Sequence, residues 1–183
     1  MGKSAKYSKD RILNAAVRVI RRKGVANTSL ADIAKELGMS KGTLYYYYAS
    51  KSDLIFDLTE RHIRYITEEI LDWVAKAKDE ASPQEILHVV LNLLLRGNTR
   101  GPVHLYLLQD AIGGNEILRR RFLQEYGRWR QILREGLEQL LGERGDVEVR
   151  AAVLMAVIDG LLLEKLVGVR PLFLREISEF LTR

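Results

Sequence analysis

The stretch that decides the fold runs from Thr28 to Leu54, TSLADIAKELGMSKGTLYYYYASKSDL. Ser29 with Asp32 three residues on reads as a capping box, in which side chain and backbone at a helix start satisfy each other. Leu30, Ile33, Ala34 and Leu37 then recur at helical spacing, and Gly38 stops the run. Ser40 is a good N-cap for a third short helix, ending at Tyr47 or Tyr48. Ser50 with Asp53 repeats the capping pattern and opens a long helix, roughly 51–77. Two short helices joined through Gly38-Met39-Ser40 match a helix-turn-helix, whose second helix lies in the DNA major groove.

The side chains fit that orientation. Ile33, Ala34, Leu37, Leu44 and Tyr48 can face a common core, whereas Lys41, Gly42, Thr43, Tyr45, Tyr46 and Tyr47 cannot all be buried with them. Gly42 costs helix stability relative to alanine, which makes sense where another backbone must approach closely. Half of the eight tyrosines stand consecutively at 45–48, so on a helix they point all round. An outward tyrosine offers a hydroxyl to phosphate and a ring edge to a thymine methyl. An aromatic-rich core helix is the competing reading; it explains Tyr48 well and the other three poorly.

Outward from this stretch, Ile12, Ala15, Ala16, Val19 and Ile20 define a first helix over about 9–23. A basic last turn (Arg21, Arg22, Lys23) and Gly24 close it. Ser82-Pro83-Gln84-Glu85 opens a helix reaching Leu95, followed by a break containing Gly97, Asn98, Gly101 and Pro102. A short helix is predicted at about 103–112, with a turn at Gly113-Gly114-Asn115. A long charged helix at 116–142 is closed by 142–146, a very apolar one follows at 147–168, and a last one begins at Pro171. No useful strand-like alternation occurs. The expected fold is all-α with about nine helices: an N-terminal three-helix unit (1–52), then a larger helical domain (53–183), joined by the helix at 51–77.

Charge is distributed unevenly. Residues 1–52 carry eleven Lys/Arg against three Asp/Glu, a net +8, and residues 53–183 carry eighteen against twenty-one, a net −3. A basic quarter on a slightly acidic body is an electrostatic footprint for a polyanion; a solvated tail is the alternative. The chain has no cysteine, which excludes disulfides, thiolate metal sites and thiol nucleophiles. His62, His88 and His104 have no metal-ligand spacing, and neither a phosphate-binding Gly-rich loop nor a His-Glu-x-x-His pair occurs. No metal, cofactor or enzymatic activity is therefore expected, although the abundant carboxylates leave an acid–base site open. With no signal peptide evident and no apolar run of spanning length, a cytoplasmic protein without membrane partners is expected.

The run Ser40-Lys41-Gly42-Thr43-Leu44-Tyr45-Tyr46-Tyr47, followed by Ser50-Lys51-Ser52-Asp53-Leu54, resembles the N-terminal domain of TetR-family transcriptional regulators over about residues 8–60. The resemblance implies a three-helix DNA-binding domain, a larger ligand-binding and dimerising domain, and repression relieved by a small molecule. It places Lys41, Thr43, Tyr45, Tyr46 and Tyr47 where the family contacts DNA, and Lys51 where the fourth helix meets a phosphate. Thr28, Ser29, Ser40 and Gly42 complete the expected DNA-binding set. Tyr48 departs from the family's usual phenylalanine, and its hydroxyl needs a partner in the core.

A regulator that reads two half-sites needs two reading helices and hence a homodimer. The best surface is AAVLMAVIDGLLLEKLVGV, Ala151–Val169. There Val153, Leu154, Val157, Ile158, Leu161, Leu162 and Leu166 cover more than one helix face, and Gly160 admits a close neighbour. The last helix adds Leu172, Phe173, Ile177, Phe180 and Leu181, so Val157, Gly160, Leu161, Phe173, Ile177 and Phe180 are the interface candidates. A small, largely apolar effector is expected among the fourth to eighth helices, near Leu91, Leu94, His104, Leu107, Tyr126, Trp129, Met155 and Asp159; each of these also fits a plain core role. The basic set Arg119, Arg120, Arg121, Arg128, Arg130 and Arg134 reads as a solvated face paired with Glu116, Glu125, Glu135 and Glu138, a phosphate-bearing ligand being the competing reading. Effector binding is expected to shift the fourth helix and change the spacing of the reading helices. A helical adaptor that binds protein is the remaining rival.

Overall fold

The computed structural model describes residues 8–77, 79–96, 100–142 and 146–183. Lys3 and Lys6, Gly97 and Asn98 of the expected break, and 143–145 of the expected turn lie outside them. Nine helices form among the described residues: α1 (Lys9–Lys23), α2 (Leu30–Leu37), α3 (Lys41–Tyr47), α4 (Lys51–Ala77), α5 (Pro83–Leu95), α6 (Arg100–Ile112), α7 (Glu116–Leu141), α8 (Val147–Val167) and α9 (Leu174–Thr182). The fold is all-α.

Two expected starts move. α6 begins at Arg100, so Gly101 and Pro102 belong to its first turn and not to a loop. Proline is tolerated there because first-turn N–H groups have no intrahelical acceptor to lose. α9 begins at Leu174 instead of Pro171, because Phe173 holds a left-handed backbone at φ 47° that no α-helical residue adopts.

The chain divides into two compact units: Met1–His62 with Pro102–Arg119, and Ile63–Gly101 with Arg120–Arg183. The division falls inside α4, ten residues beyond the 52/53 boundary expected from the sequence. In the first unit α1 packs on α2 and α2 on α3. Ile12, Ala15, Ala16, Val19, Ile33, Leu44, Leu54 and Ile55 are buried there. In the second unit α5 packs on α8 and α9. Its core joins Leu87, Leu91 and Leu95 of α5 to Leu137 of α7, Val147, Ala151, Leu154 and Leu161 of α8, and Leu181 of α9. Cations cap helix ends across this core: Lys165 Nζ donates to the Leu95 carbonyl and Arg150 to that of Leu181, where the last carbonyls lack intrahelical donors. No helix among the described residues is long and apolar enough to cross a membrane.

Candidate nucleic-acid interface

The reading unit is assembled from local capping. The Ser29 side chain accepts from the Asp32 backbone N–H at 3.2 Å, and the Ser29 N–H donates to Asp32 Oδ2 at 3.0 Å. Gly38 ends α2 at φ 63°, a left-handed conformation that costs glycine nothing. The backbone then turns directly into Ser40, whose Oγ accepts from the Thr43 N–H at 3.1 Å and starts α3. At the head of α4 the Asp53 N–H donates to Ser50 Oγ at 3.0 Å, and the Ser50 hydroxyl donates to Asp53.

α3 is held from one side. Leu44 is 0% exposed and Tyr48, just beyond its end, is 3% exposed. Ser40, Lys41, Gly42, Thr43, Tyr45 and Tyr46 are exposed, Tyr46 by 87%, and Tyr47 is half-buried. Tyr46 and Tyr47 meet edge to face at 5.6 Å between centroids, a favoured aromatic geometry. A Cβ added at Gly42 would meet nothing closer than Ser40 Oγ at 3.9 Å, so the helix surface there is open. The result is a short ridge bearing a cation, a β-hydroxyl and phenolic hydroxyls.

Two of the expected contacts have partners within the reading unit. Thr28 is 2% exposed and its hydroxyl donates to the Gly24 carbonyl at 2.8 Å. A hydroxyl turned inward cannot meet a phosphate, so Thr28 fixes the turn after α1. Lys51 sends its ammonium to the Val25 and Ala26 carbonyls at 2.8 and 3.1 Å and over the Tyr106 ring at 4.6 Å. It therefore ties α4 to the α1–α2 turn. Ser29 is exposed and occupied in its cap.

The scaffold also uses ion pairs that sequence reasoning missed. Arg18 and Arg22, one turn apart on α1, grip Glu36 of α2 at 2.9 and 2.7 Å, and Lys23 holds Asp32 at 2.6 Å. Hydrogen bonds from Arg22 and then Arg18 bring the Glu36 pKa down to about 2. The Lys23 and Ser29 hydrogen bonds hold Asp32 well below the carboxylate range. The i,i+4 spacing of Arg18 and Arg22 was the available signal, but only folding brings Glu36 between them. Ser52 is likewise buried, its hydroxyl donating to Asp110 at 2.6 Å, and Asn115 donates to the same carboxylate oxygen at 2.9 Å.

With this geometry established, comparison with known proteins decides the family. The model for bacterial regulatory proteins of the tetR family matches residues 12–58, and that for the C-terminal region of BetI-type transcriptional repressors matches 110–182. The chain belongs to the TetR family of transcriptional regulators. It is 27% identical to the HTH-type transcriptional regulator AcrR of Shigella flexneri, with 82% of this chain and 74% of that protein covered. An HTH-type regulator of Staphylococcus aureus is 37% identical over 65% of this chain, and the match spans 61% of that relative's length. Among solved structures, a Saccharomonospora viridis transcriptional regulator in complex with choline is 27% identical, with a TM-score of 0.68 and 94% and 92% of the two chains covered. FadR of Thermus thermophilus, a TetR-family repressor in complex with lauroyl-CoA, shares the fold at 22% identity, TM-score 0.74, over 96% and 93%. As a TetR-family member this chain is a helix-turn-helix DNA-binding regulator and not an enzyme.

The expected effector residues fall into different settings. Leu107 and His104 of α6 are buried in the first unit. Leu91 is a central core residue of the second unit, Met155 is buried, and Leu94 packs beside Ile70, Val74 and Ile86. Tyr126, Trp129 and Asp159 do come together: the Tyr126 hydroxyl donates to Asp159 Oδ2 at 3.0 Å, and the Tyr126 and Trp129 rings lie 5.0 Å apart. A separate groove of about 480 Å³ beside α5 and α9, lined by Glu85, His88, Arg175 and Glu179 among others, contains none of the expected residues.

Of the interface candidates, Leu161 is a correction. At 5% exposure it is packed in the α5–α8–α9 core and cannot meet a partner. Ile177 is partly buried against that core, and Val157 and Gly160 are half-buried. Phe173 and Phe180 are exposed, by 58% and 71%.

Proposed function

We propose that this TetR-family regulator is a repressor that binds a palindromic operator as a homodimer and is released by a small, largely apolar effector. What carries the reading is the outer face of α3: Lys41, Thr43, Tyr45 and Tyr46 project from a helix pinned from behind by Leu44 and Tyr48. An adaptor helix that binds protein would bury such aromatics in a partner groove and would have no use for the basic reading unit. In this reading Lys41, Thr43, Tyr45, Tyr46 and Tyr47 reach bases and phosphates. Ser40 and Gly42 let the backbone approach, and Ser29 offers a phosphate contact at the start of α2. Residues 1–52 form the reading head and 53–183 the effector-binding and dimerising part.

The homodimer rests on an apolar stripe. Val149, Val153, Ala156, Gly160, Leu163 and Val167 follow one another along α8 at helical period, and all are exposed except the half-buried Gly160. A Cβ at Gly160 would meet nothing within 4 Å. An exposed apolar stripe of this length, with Phe173 and Phe180 exposed as well, is the kind of surface that marks a protein contact and suits a two-fold contact with a second copy. The effector part of the proposal is supported by the relatives solved with choline and with lauroyl-CoA. Effector binding would act by moving α4, which spans both compact units.

Selection from a randomised duplex DNA pool, with the enriched site titrated against salt, tests the proposal. Enrichment of an inverted repeat whose affinity falls steeply with salt is expected, because each neutralised phosphate releases counterions. Failure to enrich any sequence, with and without cell metabolites, would return the helix-turn-helix to the adaptor reading.

A further inference from the structure

The groove between α5 and α9 carries chemistry that DNA reading does not use. At about 480 Å³ it is in the size range of small-molecule sites, and its walls include Glu85, His88 and Val89 of α5 and Arg175 and Glu179 of α9. Arg175 lies about 140° round α9 from Phe180 at 3.6 residues per turn, so the groove stands on the side of the helix away from that interface candidate.

One wall holds a donor that no group of the protein satisfies. The Asn92 amide nitrogen lies 2.9 Å from the His88 carbonyl oxygen and 3.1 Å from His88 Nε2. An amide nitrogen only donates, and the carbonyl contact fixes nitrogen rather than oxygen at that position. Nε2 is therefore the acceptor, and the neutral imidazole carries its proton on Nδ1. That atom is buried and has no hydrogen-bond partner, a costly arrangement that calls for a missing acceptor. The other wall holds opposite charges one turn apart. Arg175 Nε and Glu179 Oε1 are 3.9 Å apart, longer than a hydrogen bond, and an exposed pair of this kind contributes little. Glu85 adds a second negative charge: hydrogen bonds from the Ser82 hydroxyl and N–H, and then the charge of Arg175, hold its carboxyl below the ordinary range.

We infer that this groove binds a zwitterion, a free α-amino acid with a small apolar side chain, whose carboxylate meets Arg175 and His88 Nδ1–H and whose ammonium meets Glu179. A lone anion here faces two carboxylates, and a lone cation faces the guanidinium; a molecule bearing both charges answers each. Parting Arg175 from Glu179 costs little, and each then gains a charge-assisted hydrogen bond. The ligand's side chain rests on Val89 and on the stem carbons of the charged residues.

The test is calorimetric titration of the full-length protein, with thermal melts alongside. Probes are L-leucine, L-valine, N-acetyl-L-leucine, which lacks the ammonium, and L-leucinamide, which lacks the carboxylate. Saturable binding of leucine and valine is expected, with a melting temperature that rises as either is added. The two leucine derivatives should each bind about 10-fold more weakly than leucine, or worse, because each loses a hydrogen bond to a charged group. Arg175→Gln should erase the preference for leucine over its amide and keep the preference over the acetyl derivative; Glu179→Gln should do the reverse. His88→Phe, which keeps a ring and deletes the donor, should weaken leucine a few-fold. If these residues served only the fold, the variants would shift the melting temperature and leave the ranking of probes intact, and that result overturns the inference. Equal affinity for leucine and its derivatives, or no saturable binding of either amino acid to a normally melting wild type, overturns it too. None of these residues lies in the reading unit, so the outcome is independent of the operator selection.

Discussion

Leu44 and Tyr46 sit two residues apart on α3 and should fail in opposite ways when each is replaced by alanine. Leu44 is wholly buried and is the one buried residue of the seven-residue helix. Removing its side chain costs transfer free energy plus a cavity, about 2–5 kcal/mol. In a chain of this size each kcal/mol lowers Tm by roughly 2–4 °C, so Leu44→Ala should lower the melting point on the order of 5–20 °C or uncouple the reading unit. Tyr46 is 87% exposed, and alanine has the better helix propensity, so Tyr46→Ala should change stability by no more than about 0.5 kcal/mol. Its cost appears on DNA, where a lost base or phosphate contact is worth about 1–3 kcal/mol at each half-site. Fluorescence anisotropy on the selected operator, paired with thermal melts, separates the two. Kd should rise at least 10-fold in Tyr46→Ala at unchanged Tm. Affinity within two-fold of wild type would refute the assignment of this helix face to DNA.

Ser29→Ala removes the capping box of α2 and should cost about 0.5–2 kcal/mol, read from the urea midpoint. Glu36→Gln should flatten the acid limb of the stability profile. The Glu36 carboxylate titrates near 2 when folded against an ordinary 4.5. Its contribution is therefore complete above about pH 4.5 and lost as pH falls toward 2. Unfolding midpoints at pH 3 and pH 7 should differ more in wild type than in the variant, and equal differences would deny the Arg22–Glu36–Arg18 grip any such role. Gly160→Glu with Phe180→Asp should give a folded monomer by light scattering and abolish tight operator binding; a persistent dimer would move the interface off α8 and α9.

The first five helices were legible because their limits are written locally. Ser29, Ser40, Ser50 and Ser82 each cap within three residues in the fold, and Gly38 ends α2 by a backbone preference that needs no distant partner. The start of α9 was misread for the same reason in reverse: Pro171 is a valid local helix opener, and nothing near it reveals that Phe173 takes a left-handed backbone. Separating core from surface in α8 was also beyond the sequence. Its apolar residues surround the helix, and only packing against α5 shows that Leu154 and Leu161 point inward while Val149, Val153, Leu163 and Val167 do not.

The sequence alone determined that this chain is helical, that a capped helix-turn-helix opens it, and that a tyrosine-rich face is left over once the core residues are assigned. Those conclusions depend on 3.6-residue periodicity and on contacts spanning three or four positions, which any local segment carries. The tertiary structure decided what each polar group is for. It turned Thr28 and Lys51 inward, closed Arg18 and Arg22 on Glu36, and brought Tyr126 to Asp159 across 33 positions. A charge or hydroxyl gains its role from whatever faces it, and which residues face each other across helices is fixed only when the helices pack.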